Sequence, residues 1–109
     1  MIELVKKAPE RINFTAVIEY IDEHYDFIPT QFRNGETINE PNKNNGSCKV
    51  FSFAKLNDLS KDETLALFGK YYRDDVLKNP EGTDHQNIRN FMKFGWDGIS
   101  IDGNALRRK

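Results

Sequence analysis

Two short segments hold most of the residue types that bind or react. Arg73, Asp74 and Asp75 stand together, and beyond the turn formers Pro80 and Gly82 come His85, Gln86 and Asn87, then Arg89 and Asn90. Face to face, these segments would line one cleft with guanidinium, carboxylate, imidazole and amide groups. That set suits a small anion or polar metabolite, helped by the free amides at a helix start. The same residues also have common structural uses. Asp74, Asp75 and Asp84 can cap helices, His85 and Gln86 fit a capping box, and Arg73 and Arg89 can pair with nearby carboxylates. Asp74, Asp75, Glu81 and Asp84 could gather a divalent cation, but their spacing matches no calcium loop. No metal, cofactor or catalytic residue is assigned.

Cys48 is the sharpest single feature, and it is the only cysteine. A helix capped by Ser47 would place it at the first helical position beside Lys49. There the dipole and the free amides favour a thiolate, with His24 or His85 as a base if the fold brings one close. The alternative is a small apolar side chain buried in the core. One cysteine cannot form an intramolecular disulfide, so a reducing compartment is the simpler setting.

The elements that must position these residues are mostly helices. Ile2 to Ala8 reads as a short helix stopped by Pro9. Phe14, Val17, Ile18, Ile21 and Tyr25 recur at helical spacing, with Thr15 as cap and Pro29 as the stop. Asn34-Gly35 marks a hairpin within Thr30 to Glu40. A two-residue loop at Asn34-Gly35 would pair Arg33 with Glu36 and set Phe32 and Ile38 on opposite faces, a conflict that a bulge or longer turn would repair. The Asn-rich loop from Asn39 to Gly46 reads as a solvated connection or a partner-contacting element.

From Cys48 to about Asn57 the polar residues Lys49, Ser52 and Lys55 recur every three. That spacing predicts a narrow solvent stripe on an otherwise buried central helix. Ser60-Lys61-Asp62-Glu63 and Thr83-Asp84-His85-Gln86 read as capping boxes. The first opens a helix carrying Leu65, Leu67, Phe68, Tyr71 and Tyr72, which Arg73-Asp74-Asp75 breaks. The second opens a helix that Gly95 ends. Ile99-Ser100-Ile101 alternates like a strand, and Arg107-Arg108-Lys109 reads as a frayed tail. Tyr71, Tyr72 and Trp96 are expected in the core rather than on a recognition surface. The sum is an α+β fold: one small, mostly helical domain over residues 1–109, with a small antiparallel sheet from the hairpin and a C-terminal strand.

Composition narrows the function classes. Sixteen Lys and Arg against seventeen Asp and Glu leave a net charge of -1 in 109 residues, so no nucleic-acid partner is expected. Aromatic residues make up 12%, enough for a folded core. No apolar run is long enough for a membrane span, and the N-terminus has no Sec signal.

Several blocks resemble one family. They are His24-Tyr25-Asp26-Phe27, Phe32-Arg33-Asn34-Gly35, Asn44 through Ala54, Phe68 through Leu77, Asp84 through Met92, and Gly95-Trp96 with Gly98-Ile99. In this order they are similar to the HopJ type III effector family over nearly the whole chain. The resemblance implies a protein that, in plant-pathogenic bacteria, is delivered into host cells by type III secretion. It implies no catalytic residue. Because Ile2, Leu4 and Val5 already read as helix, no disordered secretion leader is expected, and the bacterial cytoplasm is the expected location. A non-enzymatic interaction module, with a host protein as partner if secreted, is the first expectation. A binder of a small polar ligand through Arg73–Asp75 and His85–Asn90 is the second, and an enzyme using Cys48 or His85 the third.

Overall fold

The apolar residues gather around one rod. In a computed structural model that describes residues 1–109, helix α3 spans Asn45–Leu56 and buries Cys48, Val50, Phe51, Ser52, Phe53 and Ala54. Phe51 sits among aromatics brought from distant parts of the chain. Its ring centroid lies 5.0 Å from that of Phe91, 5.5 Å from Phe68 and 6.0 Å from Phe32. Burial of such large apolar side chains is the dominant favourable term in folding. The polar stripe expected on α3 is only partly there: Lys55 is exposed, whereas Ser52 is buried and Leu56 faces solvent.

Around this rod pack α1 (Ile2–Lys7), a 3-10 turn at Pro9–Arg11, and α2 (Phe14–His24). Asn13, not Thr15, caps α2, and its side chain accepts from the Ala16 amide at 3.1 Å. Helix α4 (Lys61–Ala66) begins at the expected capping box: Ser60 Oγ accepts from the Glu63 amide at 3.1 Å, and Glu63 Oε1 accepts from the Ser60 amide at 2.9 Å. It ends earlier than its apolar run. The chain turns at Gly69 with φ +61°, where a Cβ would stand 2.9 Å from the Phe14 backbone nitrogen. A π-helical segment, Tyr71–Val76, follows, so Arg73-Asp74-Asp75 continues a helix instead of breaking one. Helix α5 (Gln86–Phe94) ends at Gly95, as expected, with φ 63° and ψ −156°, a conformation essentially reserved for glycine.

Two small antiparallel sheets close the fold. The first has the order β3-β2-β4, with β2 at Phe32–Asn34, β3 at Thr37–Asn39 and β4 at Ile99–Ile101. The expected hairpin and C-terminal strand are therefore present, but the hairpin register differs. Its two-residue turn is Gly35-Glu36, which pairs Phe32 with Asn39 and Arg33 with Ile38. The conflict between Phe32 and Ile38 disappears because Ile38 is not a core residue: Phe32 is fully buried and Ile38 is 53% exposed. Gly35, at φ +63°, packs so tightly on the Phe94 ring that a Cβ would lie 2.2 Å from it.

The second sheet pairs β1 (Tyr25–Phe27) with β5 (Leu106–Arg108). Both strands depart from the sequence reading, which runs the helix through Tyr25 and frays the tail. Asp26 stands opposite Arg107, and the Lys109 amide donates to the His24 carbonyl at 3.1 Å. The basic tail is thus a strand, held by main-chain bonds to a segment far away in sequence.

Candidate functional site

The starts of α3 and α5 open onto one cleft of about 580 Å³. Phe14, Phe68, Tyr71 and Ile88 give it an apolar wall; Thr37, Asn39, Asn44, Ser47, His85, Gln86 and Asn87 give it a polar rim. Both helices begin on a residue in the left-handed conformation, Asn44 (φ 57°) and His85 (φ 50°), and neither side chain caps its own helix. Asn and His visit this region more readily than most residues. Asn44 instead donates from Nδ2 to Asn39 Oδ1 at 2.7 Å, and His85 turns to Asp75. The amides of Asn45, Gly46 and Ser47, and of Gln86, Asn87 and Ile88, find no acceptor within the chain. These are the orphan donors of helix starts, and here both sets border the same space.

A network of four asparagines fixes the cleft floor. Asn34 Nδ2 donates to the Asn87 carbonyl at 2.8 Å and to Asn87 Oδ1 at 3.0 Å. Asn87 and Asn39 exchange bonds, at 3.2 Å from Asn39 Nδ2 and 3.1 Å from Asn87 Nδ2. Asn44 completes the network at its open edge. Asn34, Asn39 and Asn87 are buried, so these amides lock the hairpin to the start of α5. Only Asn87 was a candidate from sequence. Asn34 read as a turn residue and Asn39 as the edge of a loop. No local signal separates a buried asparagine from a solvated one.

His85 joins the two predicted segments. Its Nε2 lies 3.1 Å from Asp75 Oδ2 and 3.8 Å from Asp84 Oδ2. The Tyr71 ring packs at 5.2 Å, and Phe14 meets Tyr71 edge-on at 5.2 Å. Asp75 thereby orients the imidazole at the cleft mouth. Gln86 does not close a capping box, because α5 begins two residues later than a Thr83 cap requires; its side-chain amide donates to the Thr83 carbonyl instead.

The other candidates point elsewhere. Arg73 donates to the carbonyls of Ile12 at 3.0 Å and Pro9 at 3.4 Å, and so ties the π-helical segment to the chain ahead of α2. Asp74 pairs with Lys78 at 3.3 Å on the surface. Arg89 binds Asp84 Oδ1 and the Asp84 carbonyl, both at 2.6 Å, and the Asn79 carbonyl at 2.9 Å. Its guanidinium holds the Asp84 carboxyl below the usual carboxylate range. Asp74 and Asp84 are thus held by Lys78 and Arg89, Asp75 faces His85, and no group of three or more metal-ligating side chains assembles. Trp96 donates to the Leu59 carbonyl at 3.1 Å and stacks edge-on against Phe91, a core role.

Cys48 is not at the first helical position. Because α3 starts at Asn45, the Cys48 amide is already bonded to the Asn44 carbonyl at 3.0 Å, and the side chain is buried. Its sulfur lies 3.7 Å from the Thr30 carbonyl. Burial pushes the thiol above its ordinary value, and the neighbouring Ser52 and Thr30 groups pull it only partly back. The free amides and the dipole that would favour a thiolate belong to the turn before it.

The arrangement defines a small α+β domain that offers one polar cleft between two helix starts. The chain belongs to the HopJ type III effector protein family, whose model matches residues 1–106. It is similar, at 51% identity and a TM-score of 0.97, to a crystal structure described as unknown function protein VPA0580; the match covers 99% of this chain and 90% of that one. No curated protein matches the chain. No helix is long and apolar enough to cross a membrane.

Proposed function

We propose that the protein is a non-enzymatic binding protein whose ligand, a small molecule with a polar or anionic end and a flat or apolar body, seats in the cleft between α3 and α5. The carrying observation is that two helix starts, left uncapped by their own side chains, border one space beside an oriented His85. Amides there suit the polar end, and Phe14, Phe68 and Tyr71 suit the body. Of the sequence candidates, His85, Gln86 and Asn87 serve the ligand directly and Asp75 serves through His85. Arg73, Asp74 and Arg89 act as structural ties.

A melt-shift screen against metabolites, nucleotides and inorganic anions tests this reading. A stabilising ligand should lose its effect on His85→Ala, with the fold intact, and keep it on Asp74→Ala. A ligand whose effect survives His85→Ala would place binding elsewhere. The second reading is a protein-contacting module, supported by the outer face of the hairpin, where Ile38 is 53% exposed beside Arg33. The site of action is the bacterial cytoplasm, a reading supported by the unpaired cysteine. Type III delivery to a host cell is the alternative that the family name supports. Appearance in culture supernatant that vanishes in a secretion-deficient strain would move the site of action to the host.

A further inference from the structure

A second cavity, of about 330 Å³, opens between the end of α3 and the segment joining β4 to β5. It is separate from the cleft and shares no lining residue with it. The polarity of α3 is inverted here. Ser52 is 5% exposed and Leu56 is 49% exposed, although one is a hydroxyl and the other an aliphatic side chain four residues on. Both line the cavity. Ser52 Oγ is buried and makes no hydrogen bond of ordinary geometry; the nearby Cys48 sulfur, one turn earlier, is a weak acceptor at best and donates its own proton toward the Thr30 carbonyl. A buried hydroxyl without a partner costs stability that alanine would not. Such a departure from pattern is expected where a site is kept for function.

The rest of the lining indicates what would satisfy it. Lys55 has no ion-pair partner, and Asn104 makes no side-chain hydrogen bond. Ile101 and Leu106 continue the apolar surface of Leu56. No carboxylate lines the cavity, and Asp102, between the lining residues Ile101 and Gly103, accepts from Gln31 Nε2 at 3.1 Å. We infer that this cavity binds a small aliphatic monocarboxylate, its carboxylate accepting from Ser52 Oγ and Lys55 Nζ and its hydrocarbon chain lying on Leu56, Ile101 and Leu106. One lysine matches one negative charge. A phosphate dianion would leave a charge uncompensated against apolar walls. The volume is at the small end for ligand pockets, which suits a chain of several carbons rather than a larger body.

Octanoate is the probe. Amide chemical shifts of the full chain, followed during titration, should change around residues 52–56 and 101–106 and leave the α3–α5 cleft unmoved. Ser52→Ala and Lys55→Gln should each weaken binding roughly tenfold or more, the loss expected for one hydrogen bond to a charged group. Octanol, which keeps the tail and lacks the charge, should bind at least about tenfold more weakly than octanoate. Without ligand, Ser52→Ala should melt at or above the wild-type temperature, because it removes an unpaired buried hydroxyl. Shifts scattered over the surface, equal affinity for octanol, or undiminished affinity in folded Lys55→Gln would each overturn the assignment. So would a marked loss of melting temperature in Ser52→Ala, which would show that the hydroxyl is already bonded within the fold.

Discussion

The start of α4 and the starts of α3 and α5 meet the same physical demand in opposite ways. Each leaves backbone amides that its own helix cannot bond. At α4 the chain supplies both halves of a capping box, Ser60 and Glu63, and Lys6 adds an ion pair to Glu63 at 3.3 Å. At α3 and α5 the residues that could cap are turned away, Asn44 to Asn39 and His85 to Asp75. The chain thus caps an end that takes no part in the cleft and leaves open the two that share it. An uncapped end forgoes about 1 kcal/mol. Where two such ends face one cleft, that loss fits a surface kept for a ligand.

The contrast can be broken or sharpened by experiment. The largest effect concerns Cys48, which lies one turn behind an open end without reaching it. In the native protein its thiol should react with Ellman's reagent at least ~100-fold more slowly than in denaturant. A comparable native rate would mean that the open end of α3 extends its influence to the thiol after all. Asn87→Ala removes the hub of the asparagine network and leaves Asn39 donating to nothing. It should cost roughly 1–3 kcal/mol in chemical denaturation. A neutral result would make the network a bystander and free the hairpin from α5. Ser60→Ala should cost about 1 kcal/mol, whereas Asn44→Gly and His85→Gly should cost less, because the strain that glycine relieves at the left-handed start offsets the hydrogen bond each variant loses, to Asn39 or to Asp75. Equal losses at all three ends would erase the distinction between capped and open.

The smallest effect is a pH dependence. Hydrogen bonding to the Ser60 amide, helped by Lys6, holds the Glu63 carboxyl below its ordinary range. A carboxyl depressed in the folded state adds stability above its unfolded value of about 4.3 and loses it as the pH falls through the lower folded value. Between pH ~5 and ~3 the wild type should therefore lose slightly more melting temperature than Glu63→Gln, which has no such proton to take up. Parallel losses would show that the box holds Glu63 no better when it is charged.

Much of this was legible in advance wherever the deciding interactions are local. The helical spacing from Phe14 to Ile21, the Ser60 box, the Gly95 stop and the alternation at Ile99–Ile101 each depend on residues within a few positions of one another. The errors lie where partners are remote. Gly35-Glu36 forms the hairpin turn because β2 must also pair with β4 and keep Phe32 inside. Tyr25–Phe27 and Leu106–Arg108 become strands only through each other. Of the residues in the expected polar cluster, His85 and Asp75 meet, but Arg73 and Arg89 are claimed by carbonyls that no spacing rule could have matched to them.

The linear order of side chains was enough to settle that a largely helical α+β domain forms around an apolar helix near its middle, and to mark His85, Gln86 and Asn87 as a polar helix start. Only tertiary packing settled which polar groups remain free. A hydrogen bond satisfies a donor wherever its acceptor comes from. Whether Ser52, Arg73 or the Gly46 amide is occupied therefore depends on neighbours supplied by the whole fold, and not on the residues beside it in the chain.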